Sequence, residues 1–190
     1  MPHPLRITIP AFDDLWDERS ERFISVKGGE LVLAHSLVSI SKFEQEWKRP
    51  FLSKVKLTDE QIMYYIEHCM SLSSHPVDPM IYKCLPAFPE VVKQITDYME
   101  DPMTATVFND RLTAQQSYKN RSVTSEEIYY VMASNNIPIE FQKWHLNRLL
   151  ALLRVFEVKN TPQKKRSHKD IMTDYAAINA ANKAKFHTKG

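Results

Sequence analysis

The sequence predicts a mainly α-helical (α+β) domain with a small N-terminal β-hairpin or sheet cap and a basic C-terminal helical tail. The 190 residues include eleven Pro and three Gly, which favours helices ended by proline over a barrel turned by glycine. Alternating segments come first, and apolar residues at helical spacing follow. We therefore divide the chain into a β-hairpin cap (1–35), a helical body (36–160) and a basic tail (161–190).

Two alternating segments, residues 5–10 and 22–26, predict strands in the cap. Gly28 and Gly29 then offer a tight turn, so we expect a hairpin from the second strand into residues 30–35.

The stretch between the first two strands, FDDLWDERSE at 12–21, is acidic and carries one tryptophan, Trp16. It predicts a loop. We expect the Trp16 ring to pack back on the sheet, since large aromatic side chains are on average highly buried.

Helix starts in the body are marked by residues that can cap a helix. Ser36 is an expected N-cap, and the helix after it should end before Pro50. The apolar stripe of this helix consists of Leu37, Ile40, Phe43 and Trp47. Thr58 and Thr124 each precede a Gln or Glu by three residues, which is the capping-box pattern. A further helix is predicted over 90–99.

The second half of the body begins with a polar stretch, residues 109–122, which predicts a mobile surface loop. The next helix should stop at Asn135 and Asn136. Pro138 suits the first turn of a helix, so we expect one long helix from there to about Lys159.

This long helix has apolar residues around most of its circumference when Phe141 is placed at zero and each residue turns about 100°. Helices of that kind are normally surrounded by other protein. We therefore expect a central post of the domain or of an oligomer. Lys143, Asn147 and Arg154 share its one narrow polar row.

His145 and Arg148 fall inside the apolar arc of the same helix and need partners if they are buried. The structural interpretation pairs Arg148 with a carboxylate such as Glu44 or Asp101 and bonds His145 to backbone. The functional interpretation places His145 and Arg148 at a contact between subunits.

The net charge of +2 hides an asymmetry, because the residues from Lys143 onward contain eleven Lys and Arg and three acids. That part carries +8, which leaves −6 for the rest of the chain. An acidic body with a basic tail can pair with another copy, an acidic partner or nucleic acid. The candidate contact residues in the tail are Lys164, Lys165, Arg166 and Lys169.

The tail lacks the aromatic platform of single-strand binders and a recognition helix, so nucleic acid is possible but not favoured. A last helix capped by Ser167 and running through Ile171, Tyr175 and Ile178 has a thin apolar stripe. Such a helix should need a partner in order to form.

No pattern of catalytic or metal-binding residues is visible. The eligible zinc ligands lack the usual spacing; they are His68, Cys69, His75 and Cys84. The carboxylates on the helix after Thr58 are those of a solvated face: Asp59, Glu60 and Glu67. No nucleophile elbow or phosphate loop occurs. We expect no enzyme, no cofactor and no metal.

The chain has two cysteines and no charged start leading into a long apolar run, so a reduced cytoplasm is the expected setting. The longest apolar stretch, residues 149–156, is broken by Arg154, and we expect no membrane span.

Four segments together resemble the tail assembly chaperones of long-tailed (siphovirus-type) bacteriophages. They are LAHSLVSISKFEQEW (33–47), DPMTATVF (101–108), FQKWHLNRLLALLRVFEVKNTPQKK (141–165) and NAANKAKFHTKG (179–190). The resemblance spans nearly the whole chain.

The resemblance implies a non-catalytic factor that holds the tape-measure protein, with other tail proteins, while tube subunits assemble around it in the host cytoplasm. Such a factor is then left out of the virion. Two alternatives stay open. One is a structural component of the tail or head-to-tail connector, retained in the virion as a ring, and hence a homo-oligomer. The other is a nucleic-acid-binding protein that uses the basic tail.

Overall fold

The computed structural model describes residues 3–18, 21–72, 77–108 and 114–160, together with the single positions 172, 175, 176 and 179. It confirms the predicted class, a mainly helical chain with short antiparallel strands at the N-terminus. The strands are β1 (Leu5–Ile9), β2 (Phe12–Asp17), β3 (Arg22–Val26) and β4 (Gly29–Leu33).

Seven α-helices follow within the described residues. They are α1 (Leu37–Trp47), α2 (Asp59–Tyr64), α3 (Pro79–Cys84), α4 (Pro89–Glu100), α5 (Ala114–Arg121), α6 (Ser125–Ser134) and α7 (Leu146–Asn160). A π-helical turn, Tyr65–Met70, continues α2, and 3₁₀ turns occupy Leu85–Ala87 and Ile139–Lys143.

The strands pair differently from the prediction. β1 pairs with β4 in one two-stranded ribbon, and β2 pairs with β3 in another, both antiparallel. The expected hairpin across Gly28 and Gly29 is therefore wrong, because the chain leaves one ribbon there and enters the other. The hairpin is instead formed by β2 and β3, which follow one another directly in sequence.

Backbone lies close to Gly28, and an isoleucine side chain lies close to Gly29. A Cβ atom on Gly28 would lie 2.5 Å from the carbonyl oxygen of Ile9, and one on Gly29 would lie 2.9 Å from a methyl carbon of Ile81. Neither glycine has a positive φ. Gly28 needs a small residue because backbone packs against it, not because a turn requires it, whereas at Gly29 the end of the Ile81 side chain would have to shift.

The acidic stretch predicted as a loop contains strand β2, so Trp16, expected to pack back on the sheet from a loop, is itself part of a strand. Trp16 lies opposite Phe23 on β3, and 50% of its surface is exposed. A register shift between Phe12 and Leu15 breaks the simple alternation, so the period-two pattern was not visible in the sequence.

The predicted helix starts at Ser36, Thr58 and Thr124 are confirmed. Each side chain accepts a hydrogen bond from the backbone N–H three residues later, and each forms a full capping box. The helix predicted over 90–99 is also present, as α4. These local signals worked because a capping interaction depends only on neighbouring residues.

The polar stretch predicted as a mobile loop contains helix α5, so that prediction is wrong for Ala114–Arg121. Tyr118 is 7% exposed and anchors the helix in the core. One buried aromatic can fix a short helix whose other residues are polar. Residues 109–113 lie outside the described residues.

The long helix begins later than predicted. Pro138 opens the 3₁₀ turn, Trp144 is extended with φ −67° and ψ 159°, and α7 starts at Leu146. The N–H of Leu146 donates to the carbonyl of His35 over 2.9 Å. This tertiary bond belongs to an isolated antiparallel β-bridge between Ser36 and His145. The bridge keeps the chain extended before Leu146, so the predicted helix is interrupted there.

The core joins the strand ribbons to the helices around an aromatic centre. Phe43, Phe51 and Tyr65 are nearly fully buried, and the rings of Phe51 and Tyr65 have centroids 4.4 Å apart. The apolar side of α7 is buried in the same cluster through Leu146, Leu149, Leu150 and Leu153. Burial of each such side chain stabilises the fold by roughly 1.5–3 kcal/mol.

Residues 1–156 form one compact unit and residues 157–190 a second one. In the second unit, the described positions Met172, Tyr175, Ala176 and Asn179 are helical and exposed. A search of the described residues finds no helix long and apolar enough to cross a membrane.

Candidate protein-binding groove

An open groove of about 720 Å³ lies between the segment 51–57 and the C-terminal parts of α4 and α5. Its apolar lining includes Val55, Leu57, Ile62 and Met99, and its charged lining is Lys54, Lys56, Lys119 and Glu100. The floor is therefore apolar, and the rim carries a net positive charge.

Arg49, which follows the end of α1, and Ser53 hold the segment 51–57 in place. The guanidinium of Arg49 donates to the carbonyl of Val55 over 3.1 Å and to Gln61 Oε1 over 3.2 Å. Ser53 Oγ donates to the same Val55 carbonyl over 3.1 Å. These hydrogen bonds fix the backbone of the segment at Val55. The Val55 residue itself is 67% exposed.

The base of this segment is fixed by Glu44, which is 8% exposed. Its Oε1 accepts the N–H of Phe51 over 2.8 Å, and its Oε2 accepts the N–H of Ser125 over 2.7 Å. Leu52 also bridges to Val123. One buried carboxylate thus joins α1, the groove segment and the start of α6, so the groove is a preformed feature of the fold.

The groove suits a polypeptide with an apolar face and flanking carboxylates. Val55 and Ile62 expose apolar surface, while Lys54 and Lys56 lie one residue to either side of Val55 and are exposed. Lysines beside an apolar groove attract acidic side chains, and an amphipathic helix is a common occupant of such grooves.

A second cluster of polar side chains lies in the core. His35 Nδ1 lies 2.6 Å from Tyr65 Oη, and Ser39 Oγ lies 2.8 Å from the same oxygen. His35 and Tyr65 are fully buried. Burial lowers the pKa of His35 well below its ordinary value, with the nearby His145 as a smaller cause, and burial raises the pKa of Tyr65.

His145 extends this cluster across the core. Its Nε2 lies 2.9 Å from the carbonyl of Tyr98, and its ring centroid lies 5.3 Å from that of His35. A carbonyl can only accept, so Nε2 carries a proton when this bond forms. Burial lowers the pKa of His145, although the bond to the Tyr98 carbonyl opposes the shift. The cluster thus joins the link between β4 and α1, α1 itself, the π-helical turn, α4 and the residue before α7.

The sequence interpretation of His145 as bonded to backbone agrees with the geometry, whereas that of Arg148 does not. The Arg148 guanidinium lies 4.3 Å above the Trp144 ring centroid instead of pairing with Glu44 or Asp101. Glu44 is already engaged by two backbone N–H groups. A cation–π contact with an aromatic ring at the surface lets Arg148 keep part of its hydration.

The predicted polar row of Lys143, Asn147 and Arg154 does not form a surface. Lys143 is exposed on the 3₁₀ turn, but Asn147 and Arg154 are 4% and 8% exposed. Asn147 Nδ2 donates to the carbonyls of Met99 and Asp101, and the Arg154 guanidinium lies 5.4 Å from the Phe108 centroid. Burial makes Asn147 and Arg154, like His145, structural residues of the body.

The four candidate tail residues Lys164, Lys165, Arg166 and Lys169 lie outside the described residues. The cysteines considered as zinc ligands, Cys69 and Cys84, are buried, and burial raises the pKa of Cys69 to about 11. Within the described ranges, no group of three or more His, Cys, Asp or Glu side chains converges as a metal site would require.

Sequence reasoning missed the groove. Its residues come from three separate parts of the chain, and Lys119 falls in the stretch predicted as a loop. The one local signal was the pattern SKVK at 53–56, where a β-branched residue between two lysines precedes the Thr58 capping box. No protein family, curated protein or solved structure matches the chain.

Proposed function

We propose that the chain is a non-catalytic assembly factor of a long-tailed phage that holds the tape-measure protein during tail assembly. The observation that carries the proposal is the preformed groove with an apolar floor and a lysine rim. The resemblance in residues 33–47, 101–108, 141–165 and 179–190 indicates that the bound polypeptide, here called the client, is the tape-measure protein. The groove supplies a physical means of holding it.

A long helical client exposes apolar faces until tube subunits cover them. One groove of this size can cover only a short part of such a helix, so each contact is weak. Many copies along one client would add their contacts, and avidity then keeps the client bound while single copies exchange. Exchange is needed if tube subunits are to replace the factor.

The lysine rim gives the binding its selectivity. Lys54 and Lys56 are exposed at the groove, so carboxylates beside the apolar stripe of a client helix would lie against them. Contacts of this kind mainly raise the association rate and weaken as salt is added. The apolar floor then slows dissociation.

Co-expression with the cognate tape-measure protein tests the proposal. Affinity capture of the client should fall at least about tenfold, or 1.4 kcal/mol, for the variant Lys54→Glu/Lys56→Glu. The matched control Lys42→Glu/Lys83→Glu has the same charge change at exposed residues that do not line the groove and should capture normally. Equal capture by wild type and groove variant would refute the role of the groove, and no capture by wild type would refute the function.

A further inference from the structure

The β2–β3 hairpin exposes two large aromatic rings. Trp16 and Phe23 are cross-strand partners whose centroids lie 5.2 Å apart in an edge-on arrangement, and they are 50% and 65% exposed. An aromatic side chain buries about 150–250 Å² when fully covered, so the exposed part of each of these two leaves on the order of 100 Å² to bury. A pair of exposed aromatics on a two-stranded ribbon is a typical feature of a contact surface.

Acidic residues surround this aromatic pair. The described residues of the hairpin and its ends, 12–18 and 21–26, contain one arginine, Arg22, and five carboxylates: Asp13, Asp14, Asp17, Glu18 and Glu21. Of these, Asp13, Asp14, Glu18 and Glu21 are exposed. The hairpin therefore presents an apolar centre within a negative field, which is the complement of the groove.

The groove and the hairpin lie at opposite ends of α4. Phe12, at the base of the hairpin, packs edge-on against Phe88 directly before α4, with centroids 5.4 Å apart. The groove contains Met99 and Glu100 at the other end of the helix. A helix of 12 residues is about 18 Å long, so the base of the hairpin is well separated from the groove of its own chain.

We propose that the β2–β3 hairpin of one copy docks in the groove of a second copy. The Trp16 and Phe23 rings cover the apolar floor near Val55 and Ile62, and the hairpin carboxylates face the lysine rim. Because two different surfaces meet, the contact is head-to-tail and repeats, which gives a ring or an open chain of copies.

Self-association of this kind also controls whether the groove is free to bind the client. A groove filled by a neighbouring hairpin cannot hold a client, so hairpin and client compete. This competition rests on the proposed function, whereas the self-association does not. An interface centred on two rings and a few charges is small, and small interfaces are typical of weak association.

Size-exclusion chromatography with light scattering tests the self-association in the full chain. We expect the average mass to rise beyond a dimer as the concentration approaches ~100 µM, since a small interface implies a dissociation constant of micromolar order. Trp16→Ser should abolish the rise. Tyr130→Ser, which removes another aromatic that is 73% exposed, should not.

A charge exchange separates docking from misfolding. The hairpin variant Asp14→Lys/Glu18→Lys and the groove variant Lys54→Glu/Lys56→Glu should each be monomeric alone. Their mixture should assemble, because each reversed surface now meets an opposite charge on the other variant. The control Glu46→Lys/Glu140→Lys alters two exposed acids away from the hairpin and should assemble like wild type.

Three results would overturn the proposal: a wild-type monomer throughout the concentration range, assembly unaffected by either charge variant, or no assembly in the mixture. A stable dimer as the end point would overturn the head-to-tail geometry. Adding the tape-measure client should dissolve the assemblies. If the assemblies persist while the client binds, the competition is wrong and the self-association stands.

Discussion

Glu44 and Ser125 are separated by 81 positions in the sequence, yet the backbone N–H of Ser125 donates to Glu44 Oε2 over 2.7 Å. The other oxygen of Glu44 accepts the N–H of Phe51. A single carboxylate therefore replaces water for two buried backbone donors in two separate segments. The groove owes its shape to this residue, although Glu44 does not line it.

We expect Glu44→Ala to destabilise the fold by about 2–6 kcal/mol, because it leaves two buried N–H groups without an acceptor and each costs about 1–3 kcal/mol. Glu44→Gln keeps one acceptor oxygen and should cost less. Urea unfolding measures both. Glu140→Ala, at an exposed residue, should stay within about 0.5 kcal/mol of wild type. A similarly small effect at Glu44 would show that its two bonds do not matter.

The buried histidines should make stability fall in acid. His35 and His145 have lowered pKa values in the folded chain, because burial disfavours their charged forms. Below their ordinary pKa near 6.5 the unfolded chain takes up protons that the folded chain does not. Their contribution is complete above that pH and is lost as pH falls from about 6.5 toward the folded values.

Urea unfolding at pH 7.5 and 5.5 measures this loss, whose slope reaches at most about 1.4 kcal/mol per pH unit for each histidine. His35→Asn should reduce the slope. Stability that does not change across this range would contradict the burial of the two rings.

Trp144 is held by two contacts at the surface of the body. Its ring stacks on Phe141 with centroids 4.0 Å apart, and Arg148 lies over it. We expect Trp144→Ala to destabilise by about 2–4 kcal/mol, toward the lower end of the range for large aromatics because the ring is only partly buried. Thermal unfolding measures the change. An unaltered melting temperature would show that these contacts contribute nothing.

Much of the fold could be predicted from local signals, and most of the missed features depend on distant residues. Ser36, Thr58 and Thr124 mark their helices because capping involves neighbours only. The pairing of β1 with β4 instead depends on which strands the core brings together. Likewise, α7 starts late because the Leu146 N–H finds the carbonyl of His35.

The candidate site was less visible in the sequence. His145 stood out as a polar residue in an apolar arc, and its bond to the Tyr98 carbonyl agrees with the structural interpretation. The groove was missed because Val55, Met99 and Lys119 meet only after folding. A pattern at one position cannot show a concave surface that three distant segments form together.

Deleting residues 163–190 should leave a folded body that no longer captures the client. Residues 1–156 form a compact unit, and the deleted part contains seven Lys and Arg and two acids. Loss of this positive charge removes a second attraction to an acidic client. Circular dichroism checks the fold, and co-purification checks capture. Normal co-purification of the shortened chain would remove the tail from the mechanism.

Hydrogen–deuterium exchange of the chain with and without a tape-measure fragment tests most directly whether the groove holds a polypeptide. We expect slower exchange in residues 53–57, 96–100 and 119–120, which line the groove, and unchanged exchange in the 3₁₀ turn Ile139–Lys143. Protection at the groove segments would support the proposed function. A bound fragment that leaves exchange at all three segments unchanged would contradict it.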